Sequence, residues 1–188
     1  APPPTGYFAL VLHAHLPFVH HPEPPRVLEE DWLFEALSET YLPLLNVLDG
    51  LYKDRVPFPL NLSLSPTLLS MLAEPLLQQR YVHYLDARIH ALQGECKRTR
   101  NDPHYHPLAL FYSAHYTKLR ARFVEQDKGD VIRTFRRHQD NGTLEILTCG
   151  ATHGYFPLLA THPENLYAQV SMAVRPHIRF FGRPPRGI

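Results

Sequence analysis

Residues 10–19 read LVLHAHLPFV, an apolar run that ends in two histidines separated by one alanine and is then stopped by Pro17. The apolar run predicts the first strand of the fold. Successive side chains of an extended strand point to opposite faces, so His13 and His15 are expected on the same face. Two imidazoles placed in this way suit a metal site, a polar ligand site or simply the end of a strand.

The composition favours one globular domain without a nucleic-acid or membrane partner. The chain has 188 residues, of which 44% are hydrophobic and 20% charged, and its formal net charge is +1. No apolar run approaches the roughly 18 residues that a membrane span requires. Cys96 and Cys149 lack a metal-binding spacing and favour a reducing compartment, so the expected location is cytoplasmic. Residues 1–6 are expected to form a disordered, proline-rich leader.

Three segments have the pattern of strands. Residues 7–12 are almost continuously apolar, which is typical of a strand buried on both faces of a parallel sheet. Residues 57–66 alternate apolar and polar side chains, and residues 143–149 follow a turn signal. Residues 187–188 have the pattern of the opening of a fourth strand.

Helical patterns lie between these strands. Residues 31–52 carry an apolar stripe that Pro43 is expected to kink or break, and residues 66–140 form a long helical region. The sequence Thr-His-Pro-Glu at 161–164 predicts a capping box at the start of a further helix, which Pro176 should kink. Strands that alternate with helices predict an α/β fold with a parallel sheet. Because three parallel strands leave an edge uncovered, the chain is expected to be the first part of a larger barrel.

Polar side chains fall at the predicted carboxyl ends of the strands, where parallel α/β barrels carry their chemistry. The first end carries His13 and His15, and the third strand carries Glu145 with His153 in the loop after it. The second strand contributes three further polar residues, Asn61, Ser63 and Ser65. These groups are far apart in sequence and are expected to converge in the fold.

Four longer motifs resemble one family. They are HAHLPFVHHPE at 13–23, LEEDWLFEALSETYLPLL at 28–45, LSLSPTLLSMLAEPLL at 62–77 and GTLEILTCGATHGYFPLL at 142–159. In this order they resemble the N-terminal segments of family 57 glycoside hydrolases, and most of all the α-1,4-glucan branching enzymes. The resemblance covers practically the whole chain, from about residue 6 to residue 188.

The resemblance implies a TIM-barrel-like fold, an incomplete (β/α)7 barrel with a long helical insertion after the second strand. Residues 7–188 are then expected to be the N-terminal portion of the catalytic barrel, truncated before the fourth strand. Family members are retaining enzymes with a glutamate nucleophile and an aspartate acid/base, and such a pair stands about 5–5.5 Å apart. The resemblance places both carboxylates beyond Ile188. The chain alone is therefore expected to be an inactive fragment without catalytic residues.

The resemblance implies that the site binds substrate. His13, His15 and His153 are expected to line the subsite of a glucosyl unit, because a neutral imidazole both donates and accepts hydrogen bonds as a hydroxyl does. Glu145 is expected to be structural or to lie behind that lining, while Trp32 and Tyr155 offer stacking surface. The implied partner is an α-glucan such as amylose or a glycogen-like polysaccharide, with no cofactor and no metal.

Alternative functions remain open on the residues alone. Within the family, a 4-α-glucanotransferase or an α-amylase-like hydrolase differs from a branching enzyme only in the acceptor of the glycosyl group. From another class, a metal-dependent polysaccharide deacetylase or a zinc α-mannosidase-like hydrolase also places histidines near the first strand. Such an enzyme would be expected to carry a carboxylate beside the histidines, and Ala14 stands between them. A non-catalytic glucan-binding protein is the third possibility.

Overall fold

The computed structural model describes residues 5–23 and 27–188. These residues form two compact units. Of the described residues, the first unit contains 5–18, Leu48–Ser70 and Phe135–Ile188, and the second contains 19–23, 27–47 and Met71–Thr134. The predicted leader over 1–6 lies mostly outside the described residues, which include only its last two positions.

The first unit is built on a parallel three-stranded sheet in the order β1-β2-β3. The strands are β1 (Val11–Ala14), β2 (Leu60–Leu64) and β3 (Leu144–Leu147). β2 and β3 lie within the segments predicted to be strands, whereas β1 overlaps the predicted 7–12 only at Val11 and Leu12 and continues to Ala14. The expected α/β fold with a parallel sheet is confirmed. Because the strands run in the same direction, their carboxyl ends meet at one edge of the sheet.

The register of the sheet decides which polar side chains are neighbours. His13 pairs with Ser63, which pairs with Leu147. Two residues nearer the amino ends, Asn61 lies between Val11 and Glu145. Side chains alternate along a strand, so these two rows share one face of the sheet. The opposite row of β2 and β3 is the buried one, formed by Leu62, Leu64, Leu144 and Ile146.

The expectation that residues 7–12 are buried on both faces is wrong. Tyr7 is 93% exposed and Val11 is 54% exposed. The physical reason is that β1 is an edge strand of the described sheet and that the face bearing Val11 is uncovered. At the opposite edge, the backbone N–H of Thr148 donates to the carbonyl of Gly187 at 3.3 Å, so the chain lies beside β3 where a fourth strand is predicted to open.

Helices occupy most of the remaining chain. In order they are α1 (Glu30–Ala36), α2 (Leu42–Lys53), α3 (Pro66–Leu72), α4 (Pro75–Arg98), α5 (Tyr105–Ala121), α6 (Val131–Asp140), α7 (Phe156–Leu159) and α8 (Pro163–Phe181). The predicted helical region 66–140 thus contains four α-helices, α3 to α6. α8 continues from its first residue to its last although Pro176 lies inside it.

The expected break at Pro43 takes the form of a π-helical turn. Leu37–Tyr41 forms this turn between α1 and α2, so the helical path continues through the proline. A proline lacks the N–H that the regular helical hydrogen bond needs, and a turn with one extra residue accommodates that loss. Ser38 lies in the turn and its hydroxyl is 2.9 Å from the Tyr81 hydroxyl, which anchors α1 and the turn to α4.

The predicted capping box at 161–164 is wrong, although the helix does begin at Pro163. His162 is the N-cap residue and its side chain makes no capping hydrogen bond. The Thr161 hydroxyl instead donates to the carbonyl of Leu158 at 2.8 Å. That carbonyl lies in the preceding short helix α7, within reach of the Thr161 hydroxyl. The hydroxyl therefore bonds this local acceptor instead of capping the next helix, α8.

Candidate functional site

Three imidazole rings come together at the carboxyl ends of β1 and β3. His13 Nε2 lies 2.9 Å from His153 Nε2, although 140 residues separate them. The rings of His15 and His153 stack in parallel, with centroids 3.9 Å apart and an interplanar angle of 7°. The predicted convergence of His13, His15 and His153 is present in the structure, and we refer to these three residues as the histidine cluster.

The strand geometry places the first two rings. Ala14 is buried between His13 and His15, and the two rings lie on the same side with centroids 6.4 Å apart. His15 Nδ1 is 2.9 Å from the hydroxyl of Ser65, which is fully buried. The same Ser65 hydroxyl accepts the N–H of Leu68 at 3.2 Å and thereby caps α3. The helix start and the orientation of the His15 ring therefore depend on one oxygen.

The loop after β3 places the third ring. His153 has φ = 59°, in the left-handed region that residues with a side chain rarely adopt. Its N–H donates to the carbonyl of Gly150 at 2.9 Å, which closes a tight turn. From the second strand and the helix after it, the Ser63 hydroxyl donates to the carbonyl of Thr148 at 3.1 Å and the Thr67 hydroxyl to that of Ala151 at 3.3 Å. Thr67 is a contributor that the sequence patterns do not reveal, because only the fold brings it to this loop.

Two rings of the histidine cluster, those of His13 and His15, have lowered pKa values. Burial lowers the pKa of His13, and the neighbouring His153 ring lowers it further. The pKa of His15 is also lowered, first by burial and then by the rings of His153 and His13. A neutral imidazole offers one donor and one acceptor, so the 2.9 Å contact between His13 and His153 needs one protonated and one unprotonated Nε2. In their neutral forms His13 and His15 can bind hydroxyl groups without placing a positive charge beside them.

The remaining predicted site residues lie elsewhere. Glu145 shares the face of the sheet that carries His13, but it lines, with Asn61, Arg183 and Arg186, an open cavity of about 540 Å³ near the amino ends of the strands. The histidine cluster does not line that cavity.

Two aromatic residues expected to stack on sugars are both exposed. Tyr155 is 68% exposed and lies two residues after His153, at the start of α7. Trp32 is 52% exposed and lies on α1, in the second unit. Among residues 5–23 and 27–188, no group of three or more His, Cys, Asp or Glu side chains is placed to hold a metal ion.

The comparisons with known proteins decide the family. The model of Glycosyl hydrolase family 57 matches residues 9–188. The chain belongs to this family. The resemblance of its four motifs is thereby confirmed, including the share of the chain that it covers.

The named relatives include both branching enzymes and an α-amylase. A 1,4-α-glucan branching enzyme from Thermococcus kodakarensis is 33% identical over 184 residues, 97% of this chain and 26% of the relative. The α-amylase AmyC from Thermotoga maritima matches with a TM-score of 0.90 and 39% identity over 96% of this chain and 34% of that one. A family 57 branching enzyme from Pyrococcus horikoshii matches with a TM-score of 0.88 and 33% identity over 97% of this chain and 34% of that one.

A third solved relative was crystallised with a sugar. The Thermococcus kodakaraensis branching enzyme, in complex with glucose and additives, matches with a TM-score of 0.85 and 31% identity over 97% of this chain and 32% of that one. The chain therefore spans about a quarter of the curated relative and about a third of each of these solved chains. In the described part of this glycosyl hydrolase family 57 chain, no helix is long and apolar enough to cross a membrane.

Proposed function

We propose that these residues form part of the glucan-binding site of a cytoplasmic 1,4-α-glucan branching enzyme with an incomplete (β/α)7 barrel. The observation that carries the proposal is the histidine cluster, whose three rings meet at the carboxyl ends of parallel strands. In this proposal residues 7–188 are the N-terminal portion of the barrel. The substrate is an α-glucan, and its transferred segment moves from an α-1,4 to an α-1,6 linkage.

The chemistry of the cluster suits the transition state of glycosyl transfer. That transition state resembles an oxocarbenium ion and carries positive charge on the sugar ring. Because burial favours the neutral forms of His13 and His15, these two rings place no positive charge beside it. The free donor and acceptor positions of the rings can then bind adjacent sugar hydroxyls.

The proposal assigns substrate binding, and no proton transfer or nucleophilic attack, to the described residues. Retaining transfer needs two carboxyl groups about 5–5.5 Å apart on either side of the glycosidic bond. The contacts of the three rings within the described residues are with one another and with the Ser65 hydroxyl. We assign the nucleophile and the acid/base to residues beyond Ile188, as the family resemblance implies.

An α-amylase-like hydrolase is the second candidate, and the match to AmyC at 39% identity favours it. The two reactions share the glycosyl-enzyme step and differ in whether a glucan 6-hydroxyl or water accepts the sugar. Incubating the full-length protein with amylose separates them. A branching enzyme yields new α-1,6 linkages that a debranching enzyme releases, whereas a hydrolase yields reducing ends without branches. A 4-α-glucanotransferase yields longer and shorter linear chains.

The role of the cluster is tested by binding. We expect His13→Ala and His153→Ala to weaken glucose binding at least tenfold in isothermal titration calorimetry, because each removes a hydrogen-bonding ring and breaks the 2.9 Å contact between the two rings. His162→Ala is the matched control, since His162 is exposed and its only ion pair in the described residues is with exposed Glu164 at 3.5 Å. Equal affinity of the cluster variants and the control would show that the cluster does not bind the sugar.

A further inference from the structure

We infer that Gln169 is a positioning residue that holds His153 in the ring stack. Its effect on sugar binding rests on the proposed function, whereas its effect on the position of the ring does not. Gln169 lies on α8, sixteen positions after His153 in the sequence, and does not itself belong to the histidine cluster.

Three hydrogen bonds connect Gln169 to the loop that carries His153. The side-chain oxygen Oε1 accepts the backbone N–H of Thr152 at 2.9 Å, and the amide Nε2 donates to the Thr152 hydroxyl at 2.8 Å. The backbone carbonyl of Gln169 accepts the N–H of Ala151 at 3.1 Å. One residue of the helix thus fixes the two residues that directly precede His153.

These hydrogen bonds are needed because of the backbone conformation of His153. A residue with a side chain in the left-handed region is held there only when its surroundings over-determine it, and His153 has φ = 59°. On one side of the loop, Thr67 bonds the carbonyl of Ala151. On the other side, the described residue that bonds the backbone N–H groups of Ala151 and Thr152 is Gln169.

The loop also packs closely against the side chain of Gln169 at Gly150. A Cβ atom added at Gly150 would stand 3.2 Å from Gln169 Oε1 and 2.6 Å from the Phe156 ring. The absence of a side chain at Gly150 therefore lets the turn lie against the amide of Gln169. The geometry of the turn and the position of Gln169 depend on each other.

The ring stack is sensitive to small shifts of this loop. His153 is stacked on His15 at 3.9 Å and lies 2.9 Å from His13 Nε2. A displacement of about 1 Å breaks the hydrogen bond and offsets the stack. Releasing Thr152 is therefore expected to move the ring while leaving the sheet and α8 in place.

Three variants of the full-length protein test the inference. Gln169→Ala removes both side-chain bonds, and Thr152→Val removes only the hydroxyl partner. In Gln169→Glu a carboxylate oxygen still accepts the Thr152 N–H, and the Thr152 hydroxyl can reverse and donate to the other oxygen. Gln93→Ala is the control, because Gln93 is an exposed residue of α4.

The first readout is the position of the His153 ring in sugar-free crystal structures. We expect displacement from the stack in Gln169→Ala, a smaller shift in Thr152→Val, and the original position in Gln169→Glu and in the control. The second readout is glucose affinity, which should fall about three- to tenfold in Gln169→Ala. The melting temperature should stay close to that of the control.

The outcomes separate this inference from the proposed function. An undisturbed His153 ring in Gln169→Ala overturns the positioning role, whatever the affinity. A displaced ring with unchanged glucose affinity supports the positioning role and overturns the sugar-binding role of His153. If Gln169→Ala does not fold, Thr152→Val decides by the same two measurements, since its ring must shift for the inference to stand.

Discussion

Replacing Ser65 with alanine tests the link between the start of α3 and the histidine cluster. The Ser65 hydroxyl is fully buried and serves two partners, the N–H of Leu68 at 3.2 Å and His15 Nδ1 at 2.9 Å. Alanine leaves the helix without its cap and His15 without its orienting contact. The substitution should therefore lower stability and sugar affinity together.

The magnitude follows from these two contacts. Losing an N-cap hydroxyl costs about 0.5–2 kcal/mol, and a lost side-chain hydrogen bond about 0.5–1.5 kcal/mol. The expected change in the free energy of unfolding is therefore about 2 kcal/mol. In a protein of the relatives' length, three to four times that of these 188 residues, this lowers the melting temperature by about 1–2 °C. Glucose affinity should also fall, because the freed His15 ring no longer holds one orientation.

Scanning calorimetry and glucose titration of the full-length protein measure both effects. Ser70→Ala is the matched control on the same helix, since the exposed Ser70 hydroxyl donates only to the carbonyl of Pro66, at 2.9 Å. The control should stay within about 0.5 kcal/mol of the wild type. The reasoning is refuted if Ser65→Ala melts with the control, or if it is destabilised as expected but binds glucose as tightly as the wild type.

Three further predictions concern the same site. Stability should fall as the pH drops below about 6.5, because the pKa values of His13 and His15 are lowered in the folded protein and the unfolded chain binds these protons first; unfolding titrations that show constant stability across this range contradict it. Glucose affinity should fall at lower pH still, where the folded rings themselves take up protons. Gly150→Ala should destabilise the protein by about 1–3 kcal/mol in denaturant unfolding, because the new Cβ would lie 2.6 Å from the Phe156 ring. The control Gly94→Ala, whose Cβ would stand in open space on α4, should be neutral or stabilising. A metal chelator should leave glucose binding unchanged; a loss that zinc restores would favour the metal-dependent hydrolase.

The sequence predicts the part of the site that depends on strand periodicity. Alternation alone places His13 and His15 on one face, and the order of strands and helices predicts a parallel sheet whose carboxyl ends converge. The third-strand segment likewise predicts that His153 follows that edge. These conclusions need only local patterns and the handedness of α/β folds.

The rest of the site depends on contacts between distant residues. The ring stack requires a left-handed backbone at His153, and Thr67 and Gln169 reach its loop from two separate helices. No local pattern encodes those bonds. The capping box fails for a different and local reason, because the Thr161 hydroxyl bonds the carbonyl of Leu158, three residues before it. The exposure of Val11 reflects the uncovered face of an edge strand, which the apolar run does not reveal.

The left-handed backbone at His153 makes glycine the better residue for stability and histidine the better residue for the proposed sugar binding. Glycine adopts such a φ without steric cost, so His153→Gly should raise stability by up to about 1 kcal/mol while removing the ring from the cluster. A randomised library selected for heat resistance alone should therefore enrich glycine at this position. The same library selected for the proposed glucose binding should retain histidine. The position is one where evolution toward stability and evolution toward activity lead to different residues.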